Sequence, residues 1–470
     1  MIKTNPIDRL TAVIDGGYCV GCGACAGVDQ NVSIALNKDG MFQAKPSSSC
    51  SATSSAANVC PFADDVPNED SLGKELYGDF AQHSPMAGYY LSTFAGWVTE
   101  DDYRARGSSG GMGAWILSEL LRRDMVDYVV HVVANREAKG GDQLFHFGVS
   151  DSPESVRSHP KSRYYPVEMS QVIQRILQQP GRYAVVGIPC FLKAIRLAAK
   201  SEPVIAERVK YTVGLVCGHL KSSGFAQLLA WQCGVTPSEL SGIDFRRKIP
   251  GQKASLYGIT VKGETTNGPI EKEAAVRDLY GWDWGQGFFK YKACDYCDDV
   301  LAELADITVG DAWLPEYEQQ DQGTNVIVVR HPEVLEICRE AAAAGRIHLD
   351  DLPLERTILS QAGGFRHRRE GLSYRLWKDE QEGRWHPPKR VAAKADHLDT
   401  KRKALDDARV DLYQSSHRAF RQAKEQGQLD VFMEEMQPKT AAYKRRFYRK
   451  PLFLRIKIRI RSILNRVLKK

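Results

Sequence analysis

The sequence predicts an α/β protein: a small ferredoxin-like region at the N-terminus, a central mixed α/β domain, and a helical extension at the C-terminus. Three observations predict this. Evenly stepped cysteines open the chain, β-branched runs alternate with helical stretches through its middle, and apolar residues recur at helical spacing near its end. A length of 470 residues gives room for two or three domains.

The first region spans residues 1–68 and is built around Cys19-Val20-Gly21-Cys22-Gly23-Ala24-Cys25, with Cys60-Pro61 further on. The C-x2-C-x2-C spacing suits a tight loop around a 4Fe-4S cube, and the distant Cys-Pro closes its fourth corner, as in bacterial ferredoxins. Small residues between the thiols let backbone N–H groups approach the sulfurs. A zinc site takes its four ligands as two pairs, and three stepped thiols fit a cubane better. Cys50, in the Ser/Ala-rich stretch before Cys60, is a rival for the fourth corner. A linker rich in Pro and Gly follows, to about Gly88.

The central domain is placed at residues 89–377, with the alternation running from about Tyr89 to Leu354. Val126–Ala134, Tyr183–Gly187, Tyr211–Val216 and Gly323–Arg330 read as strands, the last followed by a helix from Pro332 to about Ala344. Strands and helices in turn argue for a layered sheet with some parallel pairing. Asp244–Lys262 reads as an antiparallel insertion. In residues 389–437, Leu405, Ala408, Val410, Leu412, Ala419, Phe420 and Ala423 recur on one face and predict one long amphipathic helix.

A second set of cysteines lies in the central domain. Cys190 follows the strand YAVVG, Cys217 ends YTVGLV, and Cys294 and Cys297 form a C-x2-C pair before ADITVGDAW. Strand ends of an α/β sheet gather ligands at one edge, so these four thiols are candidates for one metal centre. Their alternative is the ordinary one for free cysteine, a small buried apolar residue. Cys233 and Cys338, in helical stretches, take that ordinary role.

Arg106-Gly107-Ser108-Ser109-Gly110-Gly111-Met112 precedes an apolar helix, and glycines and serines there offer N–H groups and hydroxyls to a phosphate. It matches neither a Walker loop nor G-x-G-x-x-G, and a plain tight turn would look the same. Lys161-Ser162-Arg163-Tyr164 offers charge and an aromatic ring to the same ligand, or an exposed loop. Asp306 and Asp311 flank ADITVG as candidate polar groups, with Asp311 alternatively a cap for the following turn; His219 is a candidate proton donor or a structural histidine, and no catalytic acid stands out.

Composition limits the setting. The 11 cysteines are too dilute for a disulfide scaffold, and Met1–Asp15 lacks a signal-peptide pattern, so a reducing cytoplasm is expected. The net charge of +6 is uneven: 12 basic and no acidic residues lie between Lys444 and Lys470. The tail, residues 443–470, also places Leu452, Ile456, Ile460, Ile463, Leu464 and Val467 largely on one helical face, which suits peripheral contact with an anionic inner membrane surface. No nucleic-acid-binding fold accompanies that charge.

Together the segments CVGCGAC with CP, RGSSGGM, KSRYYP, VGIPCFLKAIR, GLVCGH, FRRK, CDYCDD and ADITVGDAW resemble the family of coenzyme F420 hydrogenase/dehydrogenase beta subunits. That family includes flavin-containing electron-gate subunits and plant 7-hydroxymethyl chlorophyll a reductase. The resemblance covers about Tyr18–Leu354 and implies a central flavin domain holding FAD, with Ser108, Ser109, Gly110, Gly111, Lys161, Ser162, Arg163 and Tyr164 as its contacts. It implies an N-terminal cluster on Cys19, Cys22, Cys25 and Cys60 and a second on Cys190, Cys217, Cys294 and Cys297. Electrons would pass from ferredoxin or coenzyme F420 through two 4Fe-4S clusters to FAD and a small-molecule substrate. The extension after Trp377 looks like those of relatives encoded with polysaccharide-synthesis enzymes. The alternatives are a non-catalytic electron-transfer subunit, working within a larger complex, and a membrane-attached scaffold without redox function, against which the intact cysteine sets argue.

Overall fold

The computed structural model describes residues 6–50 and 54–448. Its centre is an eight-stranded mixed sheet. In chain order the strands are β1 (Ser92–Val98), β2 (Tyr128–Ala134), β3 (Phe145–Ser150), β4 (Tyr183–Gly187), β5 (Val209–Leu215), β6 (Ile307–Asp311), β7 (Asn325–Val329) and β8 (Ile347–Asp351). In space they run β8-β1-β7-β6-β5-β4-β2-β3. The inner strands β2, β4, β5 and β6 pair in parallel, and antiparallel strands flank them on both sides. Parallel strands send their C-terminal ends to one edge, so the residues after β4, β5 and β6 emerge together.

Alternation along β4 shows how the two faces are filled. Tyr183 and Val185 join the core that includes Phe191, Leu192 and Ile195 of helix α1 (Pro189–Ser201) and the cysteine-rich N-terminal region. Ala184 points the other way, into the core of Met112, Trp115, Ile116 and Leu120 from the helix Met112–Arg122. A parallel strand buried on both faces should be apolar throughout, as YAVVG is.

The N-terminal region packs the short helix Ala24–Val28 and the antiparallel ribbon Val32–Leu36 with Phe42–Pro46 onto that first face. The insertion is a three-stranded antiparallel sheet of Leu240–Arg247, Gly258–Thr265 and Gly268–Ala275. The C-terminal extension departs from expectation. In place of one helix over 389–437 there are two, α2 (Thr400–Gln426) and α3 (Leu429–Phe447), and residues 389–399 are not helical. Gly427 adopts φ +64° at the break and caps α2, a conformation a side chain disfavours. The hairpin closes an aromatic core in which Phe420 and Phe432 meet Phe289 at centroid distances of 5.2 and 5.9 Å. The start of the basic tail belongs to α3; the amphipathic stretch beyond Pro451 lies outside the described residues.

Candidate redox site

The first cysteine set converges. Cys25 lies within electrostatic reach of Cys22, Cys19 and Cys60, and burial together with those neighbours drives its thiol well above the ordinary range. Burial pushes Cys60 up to about 12, with Cys19 adding to the shift. Positive-φ glycines shape the loop: Gly21 at +64° and Gly23 at +85°, where a Cβ would strike Phe42 and Glu168. Backbone N–H groups reach the sulfurs, with Ala44 donating to Cys19 Sγ at 3.4 Å. Cys50 is not among these neighbours. Its Sγ points to Asp29 Oδ2, 3.8 Å away, which leaves Cys60 as the fourth member.

The second set converges as well. Cys190 sits in the first turn of α1 just beyond β4, Cys217 two residues beyond β5, and Cys294 and Cys297 at a short 3-10 turn (Lys292–Tyr296). All four line one small cavity with Val20, Phe62, Leu220 and Arg368. Burial raises three of these thiols, Cys190 well above the ordinary range, Cys294 to about 12 and Cys297 to about 11. The Leu220 N–H donates to Cys294 Sγ at 3.2 Å. Cys190 feels Cys297, Cys217 and Cys294 and then Cys22, so the two sets are neighbours.

Four buried thiols at such a cavity are poorly satisfied as protonated groups. As thiolates they need a cationic centre to offset their mutual repulsion and desolvation. No group of three or more His, Cys, Asp or Glu among the described residues closes around a single ion. Thiol-only donors with N–H···S support are the chemistry of iron–sulfur ligation, and both sets fit it.

A larger cavity of about 830 Å³ opens at the same sheet edge. Cys217, Ile188 and Leu220 line both cavities, so one wall separates the second cysteine set from this space. At one end are Ser108, Ser109 and Gly111 of the turn and Ser162, Arg163 and Tyr164. The turn is tied down from several sides. Lys248 Nζ donates to the Ser109 carbonyl at 3.0 Å, Val98 N–H to that of Gly110 at 2.8 Å, and Arg246 to that of Ser108 at 3.1 Å. Gly111, at φ +88°, starts the helix Met112–Arg122. The cavity size, the phosphate-binding character of the turn and the aromatic walls (Tyr164, Tyr257, Trp282, Trp284 and Trp313) fit a dinucleotide flavin.

Two expected contacts do not line the cavity. Gly110 packs inward, where a Cβ would stand 2.7 Å from Asn325 Oδ1 and Gly96 O. Lys161 turns to the Arg246 carbonyl (2.9 Å) and Asp244 (3.3 Å). The flanking aspartates also separate. Asp311 lines the cavity and holds Arg246 in a two-pronged pair, both contacts 2.9 Å, and Arg246 in turn reaches Tyr164 OH at 3.1 Å. Asp306 is a buried structural partner of Arg196, Tyr77 and Thr212 and is not part of the cavity.

His219 lines the cavity two residues after Cys217, its ring 4.5 Å from that of Trp284. Its Nε2 is buried without a partner among the described residues, and burial together with Lys221 and Lys290 keeps the imidazole neutral. Sequence reasoning missed Arg368. It is 1% exposed, comes from a π-helical turn (Arg366–Gly371), and donates to Cys297 Sγ at 3.0 Å. Its only sequence signal is the basic run RHRR, which reads as a solvated face.

Residues 93–174 match the N-terminal model of the coenzyme F420 hydrogenase/dehydrogenase beta subunit, and 181–355 match its C-terminal model. The first cysteine set precedes both stretches. One subunit belonging to the F(420)H(2) dehydrogenase of Methanosarcina mazei is 22% identical over 339 residues, 68% of this chain and 82% of the relative. The coenzyme F420-dependent sulfite reductase of Methanocaldococcus jannaschii is 20% identical over 365 residues, 73% of this chain and 49% of that enzyme. A chain from the F420-reducing NiFe hydrogenase complex of Methanosarcina barkeri aligns at TM-score 0.45 and 15% identity, covering 67% of this chain and all of its own.

Proposed function

The chain belongs to the family of coenzyme F420 hydrogenase/dehydrogenase beta subunits, which are electron-transfer oxidoreductases, and we propose that it is an iron–sulfur flavoprotein linking an electron donor to a small-molecule substrate. Cys19, Cys22, Cys25 and Cys60 would hold one 4Fe-4S cluster, Cys190, Cys217, Cys294 and Cys297 another, and the large cavity FAD. Clusters carry single electrons, and a flavin takes electrons singly or exchanges two as a hydride, which is the chemistry these groups supply when bound.

The observation that carries this reading is the order of the sites: Cys190 neighbours Cys22, and Cys217 lies in the wall of the flavin-sized cavity. The protein's own groups divide the remaining work. The Ser108 hydroxyl and the N–H groups of Gly113 and Ala114 at the start of the helix Met112–Arg122 offer donors to a diphosphate, while Ser109 Oγ donates to the Thr324 carbonyl and holds the turn. Arg246 and Asp311 lock the turn, Tyr164 and β6 together. Aromatic walls exclude water, which strengthens the charged contacts inside. His219, which lines the same cavity beside Trp284, would accept a proton there as a neutral imidazole. The donor is ferredoxin or coenzyme F420; the named relatives favour the second.

One relative is a component of a larger dehydrogenase, which favours a second reading, in which this chain serves electrons to a partner enzyme. Anaerobically purified full chain tests both. About eight irons, eight sulfides and one flavin per chain are expected for two cubanes and FAD. Four irons or fewer, or no flavin, overturn the proposal. Turnover by the chain alone with reduced donor favours the enzyme, and turnover only with a partner favours the second reading.

A further inference from the structure

We infer that Arg368 tunes the second cysteine site, making it the stronger electron acceptor of the two and directing electrons inward toward the large cavity. The inference rests on the two-cluster reading and concerns what this chain's residues do around each set.

Arg368 is a buried guanidinium with no carboxylate at hydrogen-bonding distance among the described residues. Its acceptors are Cys297 Sγ (3.0 Å), the Gly218 carbonyl (2.8 Å) and the Asp299 carbonyl, and its Nε is buried without a partner. It lines the small cavity beside all four cysteines. A buried cation is costly unless negative charge compensates it, and here the thiolates are the negative charge. The other charged groups facing Cys297 are of both signs: the Asp299 carboxylate stands against Lys389, and the Asp298 carboxylate is paired with Arg390 at 3.2 Å. Lys290, near Cys294, is paired with Asp295.

The first set is treated differently. Among the described residues no cation hydrogen-bonds to its sulfurs. Lys193, which acts electrostatically on Cys60, is paired with Glu69 at 3.3 Å. The Glu168 carboxylate faces Cys22. Adding an electron adds negative charge, so a fixed positive charge and a charge-assisted N–H···S bond favour the reduced form of the second site, while a carboxylate opposes it at the first. Arg368 is therefore a positioning residue for electrons, not a ligand.

Potentiometric titration followed by electron paramagnetic resonance tests this on the anaerobic full chain. Cys60→Ser, which breaks the first set, identifies the signal of the second. The second site is expected to reduce at the higher potential. Arg368→Met should lower that midpoint and leave the first unchanged, and Arg368→Lys should restore part of the shift. Equal shifts at both sites, no shift, or a first site that reduces more easily overturns the inference. Loss of about half the iron in both variants also overturns it, by making Arg368 merely structural. A wild type holding four irons or fewer sinks the two-cluster reading itself, and this role with it.

Discussion

Gly111→Ala should damage the protein while Gly113→Ala, two residues away in the same segment, should not. At Gly111 the backbone is at φ +88°, which costs an L-residue about 1–2 kcal/mol. A Cβ there would stand 2.7 Å from Tyr103 C and O and 2.8 Å from Arg104 N. These are backbone atoms that cannot swing aside, and forced overpacking adds about 1–3 kcal/mol. The expected loss is therefore about 2–5 kcal/mol, a large share of a typical stability of about 5–15 kcal/mol. At Gly113 the nearest neighbour is Val309 Cγ2 at 3.4 Å, an ordinary contact, and alanine gains about 0.5–1 kcal/mol over glycine inside a helix. Urea unfolding of both variants, followed by tryptophan fluorescence, gives the comparison. A lowered midpoint for Gly111→Ala and an unchanged or raised one for Gly113→Ala are expected. Equal midpoints would refute the claim that the turn is fixed by this close approach.

Other perturbations have equally definite outcomes. Arg390→Met strands the buried carboxylates Asp298 and Glu303 and should cost about 3–5 kcal/mol in unfolding, with iron lost from the adjoining Cys297 site. Lys248 is held down to about 7 by burial and by Lys161, Arg104 and Arg246. Its charged form disfavours the fold, so stability relative to Lys248→Met should fall as pH drops from about 10.5 to about 7 and level off below, as a pH series of unfolding midpoints would read. Cys60→Ser and Cys294→Ser should each remove about four irons by chemical assay, and Cys50→Ser none.

The cysteine sets and the strands were legible because their signals are local. Stepped thiols, β-branched runs and a Cys-x2-Cys pair announce themselves over a few residues, and the parallel order of β4, β5 and β6 brings their ends together. What escaped depends on contacts between distant segments. Arg368 stands in a basic run, and only the π-helical turn buries it against Cys297. Asp306 and Asp311 flank one strand symmetrically, yet Arg196 claims the first and Arg246 the second. Lys161 and Gly110 sit in the expected motifs but face the protein's own backbone. The helical break had a readable signal, since Gly427 ends the charged run of α2 as a C-terminal cap does. The apolar periodicity continuing past it masked the stop.

The measurement that bears most directly on the whole scheme is the low-temperature electron paramagnetic resonance spectrum of the fully reduced chain. Cysteine sets as close as Cys22 and Cys190 should give two reduced clusters whose spins interact, visible as broadened, split lines that simplify in Cys60→Ser. A single unperturbed signal, or two that ignore each other, would contradict the adjacency on which the electron path depends.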